Sequence, residues 1–441
     1  MAETGGAVLA GAADEMLSLA RRKGCEVKCV VDPLLKEREW RGLPAFCSDR
    51  EALEAMQPDS VILAIDDPVI RRRVDVFYQE HRVSAVTLTD GAIDPSATLG
   101  EGTVVQLGGG VTTHCRLGRA VRVNMAALVM HDAKIGDYAT IAPRAVVLGR
   151  ATIGAGAYIG ANSTILSDRT VGAGAIVGAG AVVTRDVADA TVVAGVPTRV
   201  LRKDHRWLKE TCGPIACVVQ ARMGSQRLPG KVMLPLAGAP MLQRLLERLK
   251  PAGSIDRLVV ATSTNAENDP IEALCRTLGV NCLRGDEDNV MSRFLAVGEQ
   301  TGAKTFVRLT GDNPFVDASL IDHLVEAFAA ATPRADYVNN IDEDGFPYGL
   351  YAEIFSADAL DRASKDTSPE NREHVTWALR KGSFRTAIVR APGRFRYRRL
   401  TVDTPEDFAF AGQAFEREYR RNPAFGFRDL IEENGPGGAA V

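Results

Sequence analysis

The sequence contains no run of about 18 apolar residues, the length a helix needs to cross a bilayer with its backbone satisfied. Its opening stretch, MAETGGAVLAGAADE, lacks the basic segment and apolar core of a secretory leader. The eight cysteines, at 25, 29, 47, 115, 212, 217, 275 and 282, include no CxxC pair and no zinc-like spacing. They read as reduced, mostly buried thiols. An excess of one charge is also missing, since 53 Lys and Arg stand against 56 Asp and Glu for a net charge of −3. That balance offers no electrostatic reason for nucleic acid or an acidic membrane as a partner. These absences lead to the expectation of a cytoplasmic protein that partners neither nucleic acid nor a membrane. With 46% hydrophobic and 25% charged residues over 441 positions, the chain can build two or three domains with their own cores.

Three rhythms divide it. In the first 90 residues, short apolar runs (Ala7–Ala10, Val27–Val31, Val61–Ile65) alternate with helical stretches such as Met16–Arg22 and Val69–Glu80, which predicts a small βαβ domain with a parallel sheet. From Ile93 to Val183 every sixth residue is Ile, Leu or Val, 16 positions without an insertion. Neither a helix nor an alternating strand repeats every six residues. A left-handed parallel β-helix does, each hexad forming one side of a coil with its aliphatic residue inward. The region 91–203 is therefore read as a hexapeptide β-helix, and 204–215 as a linker. From Ala216 the α/β rhythm returns: ACVVQA, RLVVAT, NCLRG and TFVRLTGD are expected strands. Met241–Leu249, Pro270–Leu278, Val290–Glu299 and Leu320–Ala330 are the helices between and after them. A third domain is thus expected over 216–434, with a disordered tail at 435–441.

In this third domain the first strand runs into ARMGSQRLPGK, where a small-residue turn admits phosphate oxygens to the backbone N–H groups and Arg222, Arg227 and Lys231 supply positive charge. The spacing is not that of a Walker loop. TGDNP puts Asp312 at the carboxyl end of another strand, where open α/β sheets bind ligands. In TVDTPEDF, Thr404 and Pro405 read as a helix start, which leaves Asp403 unexplained. Carboxylates from two strands can hold the magnesium a nucleoside triphosphate requires.

Taken in order, ARMGSQRLPGK, LTGDNP, NREHVT and TVDTPEDF resemble the cytidylyltransferases that make CMP-activated acidic sugars: the CMP-ketodeoxyoctonate, CMP-sialate and spore-coat polysaccharide types. The resemblance implies a Rossmann-like nucleotidyltransferase domain. Arg222, Ser225, Arg227 and Lys231 would bind CTP, Asp312 and Asp403 would hold Mg2+, and Arg372 and His374 would lie by the sugar-acid pocket. It further implies in-line attack by a sugar oxygen on the α-phosphate of CTP, with release of pyrophosphate. Tyr351 departs from the family, whose members usually carry Asp there.

Within the β-helix, VMHDAKI places His131 and Asp132 between two inward aliphatics. Three hexads make one coil, so His114 is expected over Asp132. This segment, with the closing VVAGVPTRV, resembles the hexapeptide sugar O- and N-acetyltransferases of the sialic-acid and bacillosamine type. On that resemblance His131 is the general base, Asp132 orients it, and later coils, including Gly160 and Gly178, line the acetyl-CoA site. Relatives carry a Gly-rich turn with a His after the first strand; here the turn is Gly11-Ala12-Ala13-Asp14. A homotrimer or hexamer is implied. The whole reads as a bifunctional enzyme of nonulosonic-acid biosynthesis (sialic- or legionaminic-like). The alternative is a cytidylyltransferase for ketodeoxyoctonate or a phosphonate, joined to a non-catalytic β-helix.

Overall fold

Val8, Leu9, Val30, Val31, Val61 and Ile62 are all buried, because their strands lie inside a parallel sheet covered on both faces, which is why these runs are continuously apolar. The computed structural model describes residues 6–331, 335–341, 345–422 and 424–432; the tail at 435–441 lies outside them. Two units result, Met1–Glu210 and Thr211–Val441. In the first, Ala7–Ala10 pairs in parallel with Val27–Val31 on one side and Ser60–Leu63 on the other. Helices Asp14–Arg22, Asp49–Met56 and Pro68–Glu80 connect or follow these strands.

The hexad region forms the expected parallel β-helix of two-residue strands on three faces. On one face Val105, Val123, Ile141, Ile159 and Val177 stack at intervals of 18 residues, each buried. At both ends the interval shortens to 16: Val105 pairs with Thr89 and Val177 with Val193. The first rung therefore begins at Leu88–Thr89, ahead of the boundary at 91. A second periodicity governs the corners. From Gly102 to Gly180 every sixth residue has φ between 51° and 74°. Nine of these fourteen are not glycine, so the coil imposes a conformation that costs such residues about 1 kcal/mol each.

Several polar side chains fasten the α/β part to the β-helix, and Arg71 is the most deeply buried arginine among them. Arg71, 1% exposed, donates to the carbonyls of Ile65, Asp66, Ala120, Tyr138 and Ala139 and to Thr140 Oγ1. Burial, with Arg122 nearby, pushes its guanidinium down to about 9; the ring of acceptors is what makes a buried cation tolerable. Beside it Asp75 receives Arg119 in a bidentate pair at 2.7 and 2.9 Å and the Tyr138 hydroxyl at 2.7 Å.

The segment 204–215 follows the β-helix. It holds a helix, Arg206–Cys212, because Trp207 and Leu208 find apolar burial there. A Cβ on Gly156 would come within 2.2 Å of the Trp207 ring.

The second unit carries a seven-stranded sheet. Ile215–Gln220 lies between Arg257–Ser263 and Thr305–Thr310, parallel to both, and Asn281–Gly285 extends the parallel part. Glu353–Ser356 then runs antiparallel to Thr305–Thr310, followed by Tyr337–Asn339 and Thr386–Ile388. Strand order reverses around Ile215–Gln220, the position where such sheets open a crevice at their carboxyl ends.

Candidate active sites

His131 and Asp132 occupy a corner of the β-helix, Asp132 being one of the left-handed residues (φ 61°). That backbone places the carboxylate 2.9 Å from His131 Nδ1. The hydrogen bond from His131 is the main reason the Asp132 carboxyl sits below its usual range, with His114 and Arg150 adding smaller contributions. An ionised Asp132 can only accept, so the hydrogen lies on Nδ1 and Nε2 carries the free lone pair. Both side chains are about half exposed, as groups that meet a substrate must be. The ring rests on Gly149, one coil further on: a Cβ there would lie 2.4 Å from Nε2 and 2.5 Å from Cε1. Gly149 was not among the residues singled out in the sequence; the 18-residue interval counted from His131 would have found it. Gly160 and Gly178 stand one above the other in later coils. Gly160 has a reason of its own to lack a side chain, since a Cβ would meet Val177 O at 2.5 Å.

In the second unit Lys231 gathers the charged groups at the crevice. Gly230, with φ 69°, turns the chain into the short 3-10 helix Lys231–Met233, which buries the lysine to 9% exposure. Its ammonium donates to Asp312 Oδ2 at 2.9 Å, Asp403 Oδ1 at 3.0 Å and Val402 O at 2.8 Å. Arg227 reaches Asp403 at 3.2 Å and Arg399 reaches it at 3.1 Å. Arg399 also forks onto Asp407, at 2.8 and 2.9 Å, and this bond chiefly holds the Asp407 carboxyl far below its usual range. Thr404 caps Pro405–Arg421 through a capping box with Asp407. The structure thus brings Arg227, Lys231, Asp312 and Asp403 together. Arg222 lies on Glu287 at 3.3 Å, and Ser225 Oγ accepts from Leu228 N at 3.4 Å within the loop.

The fit of this site to magnesium can be tested on its donors. Oxygens from two separate segments converge within 3.0 Å of one cationic nitrogen, and hard carboxylate oxygens suit that ion. No cluster of three or more His, Cys, Asp or Glu positioned for a metal occurs among the described residues. Two carboxylates with substrate phosphates and water completing the shell is the ordinary arrangement for Mg2+.

Arg372 and His374 do not join the cleft beside Asp312. Both are exposed on the short helix Pro369–Glu373 and its end, and the His374 ring faces Trp377 at 6.3 Å. Arg380, on the following helix, lines the cleft instead, together with Arg308, Tyr348, Tyr351 and Glu353.

A mixed sheet with a basic loop and paired carboxylates at the strand-order reversal of its parallel part defines a nucleotidyltransferase, here carried on a chain whose other unit includes a hexapeptide β-helix. The chain belongs to the cytidylyltransferase family, whose sequence model it matches over residues 216–419. It is 38% identical over 204 residues to the spore coat polysaccharide biosynthesis protein SpsF of Bacillus subtilis, spanning 44% of this chain and 83% of that protein. It is 32% identical over 117 residues to a 3-deoxy-manno-octulosonate cytidylyltransferase of Geobacter sulfurreducens, spanning 26% of this chain and 45% of that protein. Residues 150–185 match the bacterial transferase hexapeptide model. A solved perosamine N-acetyltransferase from Caulobacter crescentus, in complex with CoA and GDP-perosamine, is similar at 27% identity, with 45% of this chain and 98% of that one covered and a TM-score of 0.43. Among the described residues no helix is long and apolar enough to cross a membrane.

Proposed function

We propose that the chain is a bifunctional enzyme of acidic-sugar activation: an acetyl-CoA-dependent sugar acetyltransferase joined to a CTP-dependent cytidylyltransferase that forms a CMP-sugar acid and pyrophosphate. The observation that carries this reading is the meeting of Arg227, Lys231, Asp312 and Asp403 at the strand-order reversal of a family-matched domain. Arg222, Arg227 and Lys231 bind the triphosphate. An acceptor hydroxyl gives up its proton to water as its oxygen attacks the α-phosphorus in line, the bond to the bridging oxygen breaks, and pyrophosphate leaves. The protein's part is positioning and charge neutralisation. Asp312 and Asp403 would hold Mg2+, which supplies further neutralisation of the phosphates when bound.

In the β-helix, His131 Nε2 takes the proton of an acceptor amine or hydroxyl as that group attacks the acetyl carbonyl. The bond to CoA sulfur breaks, and the protonated ring returns its proton to the thiolate. Asp132 holds the tautomer this requires and stabilises the imidazolium. Later coils, Gly160 and Gly178 among them, form the acetyl-CoA side. The assembly is a trimer or a hexamer. The acceptor of the cytidylyl half is a nonulosonic acid of sialic or legionaminic type. A second reading, favoured by the identity to the octulosonate enzyme, keeps the CTP chemistry with an octulosonic acid or a phosphonate and leaves the β-helix as an oligomerising module. Incubation of the full chain with CTP, Mg2+, acetyl-CoA and a panel of sugar acids and amino sugars, read by mass spectrometry, separates them. Acetylated and cytidylylated products together support the first reading, and cytidylylation alone supports the second. Absence of any CMP product overturns both.

A further inference from the structure

Resting on the cytidylyltransferase reading, we infer that the cleft beside Asp312 is an acceptor subsite that takes a carboxylate on Arg380 and Arg308 and lays an apolar substituent of the same molecule on Tyr348 and Tyr351. The cleft measures about 340 Å³, room for a ligand the size of a monosaccharide. One wall is organised by Glu353, which is 4% exposed. It accepts hydrogen bonds from Tyr337 OH at 2.6 Å and Thr376 Oγ1 at 2.8 Å, and from both Arg308 and Arg380. Two guanidiniums on one carboxylate leave a net positive charge on this wall, while Asp312 is matched by Lys231.

The arginines are fixed but not exhausted. Arg308 spends Nε on Gln220 Oε1 at 2.5 Å and Nη1 on Glu353. Arg380 spends Nε on Tyr337 and Glu353 and Nη2 on Glu353. Arg308 Nη2 and Arg380 Nη1 have no protein acceptor among the described residues, and both side chains line the cleft. Held planar N–H groups of this kind match the two oxygens of a carboxylate, and a preorganised fork loses little freedom on binding. Glu353 is thereby a positioning residue for both.

The cleft is also lined by Tyr348 and Tyr351, packed edge to face at 5.5 Å and 84°, and by Ile341. The Arg399 guanidinium lies over Tyr348 at 5.0 Å and keeps that ring in place. Aromatic faces favour C–H and acyl groups and strip water from hydroxyls without replacing their hydrogen bonds. Thr310, Asn313 and Thr401 also line the cleft and can pair some hydroxyls, and the acceptor that fits the two walls is an acid with an acyl-bearing body.

Titration calorimetry on the full chain, with a non-hydrolysable CTP analogue bound, tests this with three probes: N-acetylneuraminic acid, its methyl ester, and 3-deoxy-manno-octulosonic acid. The acylated acid should bind at least about 10-fold more tightly than either of the others, the margin of one charged hydrogen bond. Arg380→Ala should weaken the acid by about 10- to 100-fold and leave the ester unchanged. Arg380→Lys, which keeps a cation for Glu353, should lose most of the same preference and serves if the alanine variant fails to fold. Tyr351→Ala should remove the preference for the acylated acid. Affinity for the CTP analogue should be unaltered in each variant. Equal binding of acid and ester, or no binding of any probe to a parent protein that binds the CTP analogue, overturns the subsite alone. A parent protein that binds no CTP analogue overturns the reading beneath it as well.

Discussion

At the scale of single residues, the two units separate cleanly into testable chemistry. Asp403 receives Lys231, Arg227 and Arg399 at once. Asp403→Asn is expected to abolish CMP-product formation while acetyl transfer continues, as measured by pyrophosphate release and CoA release on one preparation; near-normal pyrophosphate release would remove Asp403 from the site. His131→Ala should lower acetyl transfer by about 10²–10⁴-fold, the usual worth of a general base. Gly149→Ala should do nearly as much through geometry, about 10²-fold, because the new methyl occupies the space of the imidazole. An unchanged acetylation rate in Gly149→Ala would mean that the ring works from elsewhere. Glu353 supplies a pH dependence. Burial opposes its ionisation, but Arg308 and Arg380 outweigh burial and hold its carboxyl at about 2 against 4.5 in the open chain. Its stabilising effect is therefore complete above pH 4.5 and is lost as pH falls towards 2. The difference corresponds to about 3 kcal/mol. Glu353→Gln should lose that increment at neutral pH and show a flatter acid limb, read by pulse proteolysis in urea of peptides from 305–380. Identical pH profiles for the two proteins would refute the assignment.

At the scale of elements, what was legible in the sequence followed period and proximity. The hexads were readable because every coil core position repeats at six without interruption. The terminal rungs were not, because their interval is 16 and position 87 is Thr, whose hydroxyl accepts from Gly102 N at 3.0 Å. The parallel strands of the second unit stood out as apolar runs, whereas Tyr337–Asn339 and Thr386–Ile388 are three residues long and carry no rhythm. Lys231, Asp312 and Asp403 could be picked out because each lies in a recognisable motif. Arg308 and Arg380 could not, since what makes them a site is a buried glutamate 45 and 27 residues away in the chain. The β-helix corners were equally silent: left-handed φ falls mostly on residues other than glycine, so composition does not reveal it. The glycine column at 100, 118, 136, 154 and 172 is a different matter, a place where coils touch. A Cβ on Gly154 would lie 2.4 Å from Ala173 N and 2.6 Å from Gly172 C. Gly154→Val should force neighbouring coils apart and cost about 3 kcal/mol, lowering the melting temperature of the first unit by about 10 °C. An unshifted thermal transition would show that the coil spacing yields more readily than a close-packed stack should.

At the scale of the molecule, the question is how many copies a complete acetyl-transfer site needs. A two-residue strand on each face gives the β-helix a core only one aliphatic layer wide, and such a rod gains by packing side against side. Leu107 and Met125, one coil apart in the stack, are large, apolar and exposed, as residues awaiting a neighbouring chain would be. A closed three-fold arrangement lets His131 of one copy face the later coils of the next, and light scattering on the full chain should return a trimer or a multiple of three. Sharing is tested by complementation. Chains carrying His131→Ala supply sound later coils, and chains carrying Gly178→Trp supply a sound base, so neither acetylates alone. When the two are unfolded, mixed in equal amounts and refolded together, a site is whole only where the base comes from the second kind and the coils from the first. Random assembly into symmetric rings then restores about a quarter of the parental rate. Recovery near zero in assemblies shown to contain both chains would place the whole site within one chain, and the trimer would then have no part in building it.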